Sequence, residues 1–96
     1  MNAFFEALGK DWVEAAQHRG ASIAAPTLDS RVALELLELA RVAAHTQERR
    51  FAPLTSYLAG VAAERLRAAK PELDDAAIAD LIQEVRQRLE REVPGL

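Results

Sequence analysis

The sequence predicts an all-α fold, namely a mostly antiparallel four-helix bundle. Alanine and leucine dominate the chain, and no run of alternating β-branched residues indicates a strand. Apolar residues instead recur every three or four positions in four segments, whose short connectors favour antiparallel neighbours. A length of 96 residues corresponds to one domain. We therefore expect a single domain over residues 1–96, with helices at about 2–19, 29–46, 53–70 and 75–92.

The first predicted helix has a recognisable start and end. Asn2 suits the N-cap, where a side-chain oxygen accepts an N–H of the first turn, and Gly20 lies where a helix is expected to stop. A connector that contains Pro26 then leads to the second helix. The apolar face of the first helix consists of Phe4, Phe5, Leu8, Trp12, Ala15 and Ala16.

The second predicted helix starts near Asp29, a good N-cap residue, and ends near Thr46. Its apolar arc is broad, which indicates contacts with two neighbours and a central place in the bundle. Leu34 and Val42 interrupt the polar side, and we interpret them as apolar positions left over for a partner.

The third predicted helix begins at Pro53, because proline is favoured at the first helical position. One face carries large apolar residues. A second face carries small residues, which would allow another backbone to approach closely. We predict this second face as a protein-interaction surface, formed by Ser56, Ala59, Gly60 and Ala63.

The fourth predicted helix has the clearest pattern. Asp74 and Asp75 suit a helix N-terminus, whose partial positive charge favours carboxylates, and Pro94 with Gly95 would end the helix. Its narrow apolar stripe consists of Ile78, Leu81, Ile82, Val85 and Leu89.

Composition restricts the possible functions. The chain has no cysteine, a formal net charge of −3 and no signal-peptide pattern at its start. No apolar stretch approaches the ~20 residues that cross a bilayer, so we expect a cytoplasmic protein without a membrane partner. Apolar residues make up 50% of the chain, but twenty of them are alanines. Most large apolar side chains should therefore be needed inside, which leaves little for an exposed partner surface.

No group of residues resembles a catalytic or metal site. His18 and His45 are the only histidines, and neither has a second histidine at ligand spacing. The arginines are scattered among glutamates rather than aligned in the basic stripe of a DNA-reading helix. We therefore expect no enzyme activity, no metal, no cofactor and no nucleic-acid partner.

The junction between the second and third helices carries a ligand hypothesis. Arg49 and Arg50 precede a helix N-terminus whose first N–H groups lack intrahelical partners, and such an end can hold a phosphate or carboxylate. His45 and Thr55 would stand beside that anion. The alternative is that Arg49 or Arg50 pairs with Glu48 or with a helix C-terminus, and that Thr55 or Ser56 bonds to backbone.

The same junction resembles a small actinobacterial-type helical domain of unknown function. That family occurs alone and fused to proteins similar to the guanylyltransferase of molybdenum-cofactor biosynthesis. The likeness spans about residues 8–66, and the family usually has glycine at the position of Thr46 and Pro-Ala in place of Arg50-Phe51. The matching segments are Asp11-Trp12-Val13, Leu39-Ala40-Arg41, Ala44-His45, Arg49, Ala52-Pro53-Leu54-Thr55, Tyr57-Leu58 and Gly60.

The resemblance implies a helper domain near molybdenum-cofactor enzymes or their maturation, without catalytic residues. Our leading hypothesis is accordingly a non-catalytic accessory or protein-interaction module, whose partner is another protein or a second copy in a homodimer. The alternative is a module that binds a small anionic ligand, a phosphate or nucleotide cofactor, at Arg49 and Arg50.

Overall fold

A computed structural model describes residues 2–92, and within that range it contains four helices and no strand. The predicted all-α class with four helices is thus confirmed. Contacts group the chain into two compact units, Met1–Ser30 and Arg31–Leu96; the single-domain organisation stays a prediction. The predicted stop at Pro94 and Gly95 lies outside the described residues. The helices are α1 (Ala3–Gln17), α2 (Ser30–Thr46), α3 (Phe51–Ala69) and α4 (Asp75–Glu92).

In the first unit, both ends of α1 use the predicted signals. The Asn2 side chain accepts a hydrogen bond from the Phe5 N–H at 3.2 Å, as an N-cap does. At the other end Gly20 has a φ of +79°, its N–H donates to the Gln17 carbonyl, and the next N–H, of Ala21, donates to the Ala16 carbonyl. This pair of bonds is a Schellman motif, which requires a left-handed residue at the glycine position.

The connector after α1 folds back along the helix. The Pro26 carbonyl oxygen would lie only 2.9 Å from a Cβ atom added at Gly9. Gly9 is buried and is the one buried residue of α1. The absence of a side chain at Gly9 is therefore what allows the backbone of the connector to approach the helix this closely.

In the second unit, α2, α3 and α4 pack around a shared core. Each of the three helices contributes at least one buried residue, and partly buried residues surround them. The tightness of the core depends on small residues as well as large ones, because a buried alanine allows neighbouring helices to approach. The buried core cluster consists of Leu39, Ala63, Ile78 and Ile82, with Val32, Leu36, Ala59 and Leu66 packed against it.

Ion pairs show the relative directions of these three helices. Arg31 of α2 pairs with Asp80 of α4, and one turn later Glu35 pairs with Arg86, so α2 and α4 run parallel. The last turn of α3 is joined to the first turn of α4, and α3 therefore runs antiparallel to α4. The Arg67 Nη2 and Asp75 Oδ1 atoms that make this link are 2.7 Å apart.

The helix starts agree with the predictions except in α3. α2 begins directly after Asp29, and α4 begins after Asp74, whose Oδ1 accepts the Ala77 N–H at 3.1 Å. α3 begins at Phe51, so the start predicted at Pro53 is wrong by two residues. A hydrogen-bonded turn at residues 48–52 runs directly into the helix, and this turn places Pro53 at the third helical position, where a missing N–H still costs no intrahelical bond.

Many large apolar side chains are exposed, more than suits the expectation that most of them are needed inside. The buried hydrophobic residues instead include three alanines, Ala43, Ala63 and Ala79. Because alanine side chains allow helices to pack closely, the core between them is small and has room for few of the larger apolar side chains. Those with large exposed fractions are Phe4, Phe5, Trp12, Ile23, Leu34, Leu37, Phe51, Leu54, Tyr57, Leu58 and Val85.

Candidate functional site

The first thirteen residues of α3, Phe51–Ala63, contain no charged side chain. On the side away from the core, Leu54 and Tyr57 are 60% and 69% exposed, and Val61, at helical spacing from both, is half-buried. These three residues lie at positions i, i+3 and i+7 and therefore share one face. We call them the α3 outer stripe. An exposed helix surface of this length normally carries charges, so the stripe is a candidate contact surface.

The small-residue face of α3 is not the free surface that the sequence predicted. Ala63 is only 7% exposed and belongs to the core cluster, and Ala59 packs against that cluster. Ser56 is half-buried, and its hydroxyl donates to the Ala52 carbonyl at 3.2 Å. Gly60 alone of the four is exposed. The small residues thus let the helices of the second unit pack closely.

The two leftover apolar positions predicted on α2 have different environments. Leu34 is 64% exposed, as expected of a position that points away from the core. Val42 is only 3% exposed, so its assignment to a partner surface is wrong. Periodicity placed both residues on the polar side of α2, but burial depends on what covers that side.

A cleft of about 570 Å³ runs between α2, α3 and α4. Its floor is buried, since Leu39, Ala43 and Ile82 are each at most 4% exposed, whereas Leu58 on its wall is 66% exposed. Ten of the thirteen lining residues are apolar. They are Leu39, Ala43, Phe51, Leu58, Ala59, Ala62, Leu81, Ile82, Val85 and Leu89.

The three polar residues of the cleft are Gln47, directly after α2, Thr55, near the start of α3, and Arg88, near the end of α4. Because α3 is antiparallel to α2 and α4, the end of α2, the start of α3 and the end of α4 meet at the same end of the unit. Arg88 pairs with Glu84 at 2.9 Å, and both side chains are more than 60% exposed. The opposite end of the cleft is lined by apolar residues alone.

The four residues of the predicted anion junction lie in two different settings. His45, Arg49 and Arg50 are exposed, and they are not among the residues lining the cleft, whereas Thr55 is. The Arg50 Nη2 atom lies 3.4 Å from Glu48 Oε2, so this arginine makes the pairing that stood as the alternative. Its guanidinium also lies 6.0 Å from the Phe51 ring centroid.

The N–H groups at the start of α3 are largely occupied. Those of Phe51 and Ala52 donate to the carbonyls of Glu48 and Arg49 at 3.0 and 3.1 Å, and Pro53 has none. A helix start whose N–H groups are already bonded offers fewer donors to an anion than the sequence predicted.

Comparison with known families decides the classification. A model described as "Domain of unknown function (DUF6457)" matches residues 6–94, which is nearly the whole chain. The chain belongs to the DUF6457 family. The resemblance to a domain of unknown function is thereby confirmed, and the match includes α4, which the resemblance did not. No curated protein and no solved structure shows significant similarity to the chain.

This DUF6457 chain also has a half-buried ion-pair cluster that the sequence did not indicate. The Arg86 guanidinium lies 2.7 Å from Glu90 and 3.4 Å from Glu35, with only 17% of its side chain exposed. The hydrogen bond to Glu90 and the charge of Glu35 raise the pKa of Arg86, while burial acts to lower it. Its buried Nε has no hydrogen-bond partner among the described residues. The pair with Glu35 links α4 to α2.

Two further properties of the DUF6457 chain concern residues 2–92 only. Within that range, no three histidine, aspartate or glutamate side chains come together as a metal-binding group. None of the helices there is both long and apolar enough to span a membrane.

Proposed function

We propose that the chain is a cytoplasmic, non-catalytic protein-interaction module, and that its partner covers the α3 outer stripe. The supporting observation is the uncharged segment Phe51–Ala63, whose outward-facing Leu54 and Tyr57 are mostly exposed. Tyrosine is enriched at protein interfaces because its ring buries apolar area while its hydroxyl keeps a polar contact.

The stripe has enough apolar surface to anchor an interface. Burying the parts of Leu54, Tyr57 and Val61 that are still exposed would contribute roughly 2–5 kcal/mol, since a whole large apolar side chain contributes about 1.5–3 kcal/mol and Val61 is already half-buried. Association costs several kcal/mol in lost freedom, so the stripe would act as the centre of a larger contact. A central cluster of two or three such side chains is typical of protein interfaces.

The nature of the partner is part of the same proposal. The resemblance described above favours an enzyme of the molybdenum cofactor or a protein of its maturation. A second copy of this chain is the other candidate partner, because homodimers are the commonest oligomers. The two candidates differ in the mass of the complex.

The anion-binding alternative at the junction receives less support from the geometry. Arg50 pairs with Glu48, and the helix N–H groups nearby are bonded or missing. Arg49 and His45 remain as exposed groups, which is little for a phosphate site that needs convergent donors. We therefore retain it only as the second candidate.

Site-specific crosslinking tests the interaction proposal. A photoreactive phenylalanine analogue is placed at Tyr57, and a matched one at Gln87, an exposed position of α4 outside the stripe. We expect irradiation in native cells to give a crosslinked species of defined mass from position 57 and none from position 87. A product whose mass exceeds that of the chain by the mass of one other protein indicates a different protein as the partner. A product of twice the chain's mass indicates a second copy.

The same experiment can refute the proposal. Equal crosslinking from both positions would show that proximity is unspecific. No crosslink at position 57, in a protein that melts like the unmodified chain, would remove the stripe as a contact surface.

A further inference from the structure

The cleft of the second unit is separate from the α3 outer stripe, since none of the three stripe residues lines it. Its volume of about 570 Å³ falls within the roughly 300–1,000 Å³ typical of small-molecule sites. Such sites are mostly apolar, with a few polar groups that orient the ligand. The cleft has this composition, with ten apolar and three polar lining residues.

The distribution of the polar groups indicates the chemistry of the occupant. Gln47, Thr55 and Arg88 stand at one end, and the apolar end is formed around Leu81 and Ile82. A ligand that satisfies both ends is amphiphilic, with an apolar body and a polar head. A wholly polar ligand would lose its hydration in the apolar part, and a wholly apolar ligand would make no hydrogen bond with the groups of the polar end.

The polar end favours a head group that accepts hydrogen bonds. Arg88 can only donate, and the Thr55 hydroxyl and the Gln47 amide can each donate as well. Within residues 2–92 the Thr55 hydroxyl makes no hydrogen bond to backbone, whereas that of Thr46 donates to the Val42 carbonyl. Arg88 uses one nitrogen for the exposed Glu84, a pair worth little in solvent, and its other N–H groups stay available.

We propose that the cleft binds an elongated amphiphilic carboxylate, with the carboxylate at Arg88 and Thr55 and the apolar body over Leu39 and Ile82. The lining residues of α4 run from Leu81 to Leu89, which are eight positions and therefore about 12 Å apart along the helix. This length suits a medium-length aliphatic chain. The site needs no partner protein, so it goes beyond the proposed function and does not depend on it.

Titration with sodium decanoate, followed by two-dimensional amide NMR below the micelle concentration, tests the proposal. We expect saturable shifts that are centred on Leu58, Ala62 and Val85. Decan-1-ol, which has the same body without the charge, should shift the same residues but bind about tenfold more weakly, because a charged hydrogen bond contributes on the order of a factor of ten.

Two pairs of variants locate the head and the body. Arg88→Gln should weaken decanoate binding about tenfold and leave decan-1-ol unchanged, whereas Arg91→Gln, an exposed arginine outside the cleft, should change neither. Ala62→Trp should fill the cleft and abolish binding of both probes. Ala68→Trp, an exposed position on the same helix outside the cleft, should bind as the unmodified chain does.

Removal of the carboxylate that competes for Arg88 gives a gain-of-affinity test. Glu84→Gln should tighten decanoate binding about threefold and leave decan-1-ol unaffected. Because an unfolded variant could not bind more tightly, this result would separate an effect on binding from an effect on folding.

Three outcomes would overturn the proposal. The first is an absence of saturable shifts at the cleft in the folded protein. The second is equal weakening by Arg88→Gln and Arg91→Gln, which would indicate a general charge effect. The third is a doubled mass in light scattering that Ala62→Trp abolishes, which would show that a second copy occupies the cleft.

Discussion

At the residue scale, Gly9 has the most restrictive environment that the structure shows for any glycine. Alanine is favoured over glycine in a helix by about 1 kcal/mol, but a Cβ at this position would meet the Pro26 carbonyl oxygen at 2.9 Å. A backbone atom cannot move aside as a flexible side chain can, so packing outweighs propensity here. Gly60 is also helical, but no heavy atom lies within 4 Å of an added Cβ.

We therefore predict opposite effects for two identical substitutions. Gly9→Ala should lower the free energy of unfolding by about 1–3 kcal/mol, the usual cost of overpacking. Gly60→Ala should raise it by up to about 1 kcal/mol. Thermal denaturation followed by circular dichroism would measure both, since 1 kcal/mol shifts the Tm of a domain this size by about 4–8 °C. A more stable Gly9→Ala variant would contradict the close approach of the connector.

The ion pair of Glu35 with Arg86 gives a second prediction. Glu35→Leu should lower the free energy of unfolding by about 1–3 kcal/mol, because Arg86 then keeps a half-buried charge with one carboxylate fewer. The double substitution Glu35→Leu with Arg86→Met should regain most of that loss, since a well-packed apolar pair replaces a buried ion pair at little cost. Urea denaturation would compare the variants. A double variant as unstable as the single one would show that the pair is not the cause.

At the scale of the helices, the sequence predicts where a helix ends better than it predicts which residues a helix packs against. Asn2, Gly20 and Asp74 could be assigned in advance because a cap depends only on residues within one turn. The start of α3 was misplaced because the turn that precedes Phe51 is held by backbone bonds, which have no side-chain signature.

The faces of the helices were predictable only in part. Periodicity showed that Ser56 and Ala63 share one face of α3, but the same pattern fits a partner surface and a core contact. The cleft could not be predicted from the sequence for another reason. Its lining comes from three different helices, so Thr55 could be singled out from the sequence while residues that line the same cleft, such as Leu89, could not.

The N-cap of α4 yields a prediction at this scale. Asp74→Ala should lower the free energy of unfolding by about 1 kcal/mol, because the Ala77 N–H loses its side-chain acceptor and keeps only the Asp74 carbonyl oxygen. Asp74→Asn should keep most of the stability, since the amide oxygen caps equally well. Glu72→Ala, an exposed substitution two residues earlier, serves as the control. Urea denaturation would measure all three, and equal losses for Asp74→Ala and Glu72→Ala would contradict the cap.

At the scale of the whole molecule, two properties affect association. Many large apolar side chains are exposed, and the net charge that keeps molecules apart is small. The formal net charge is −3 at pH 7, and the sequence isoelectric point is about 5.3. Charge repulsion therefore weakens as the pH falls toward that value. Because the α3 outer stripe carries no charge, electrostatic repulsion between two molecules that meet through it is then weakest.

This combination predicts how the protein behaves near its isoelectric point. Solubility should be lowest near pH 5.3, with association through the stripe, because proteins without net charge associate most readily. Leu54→Glu should raise the solubility there severalfold. Gln87→Glu adds the same charge outside the stripe and should raise it much less when each variant is measured at its own isoelectric point. Static light scattering across pH 4–8, in steps of about half a unit, gives the comparison. Equal improvement by both variants would show that an added carboxylate acts alike inside and outside the stripe, and would leave the stripe without a role in association.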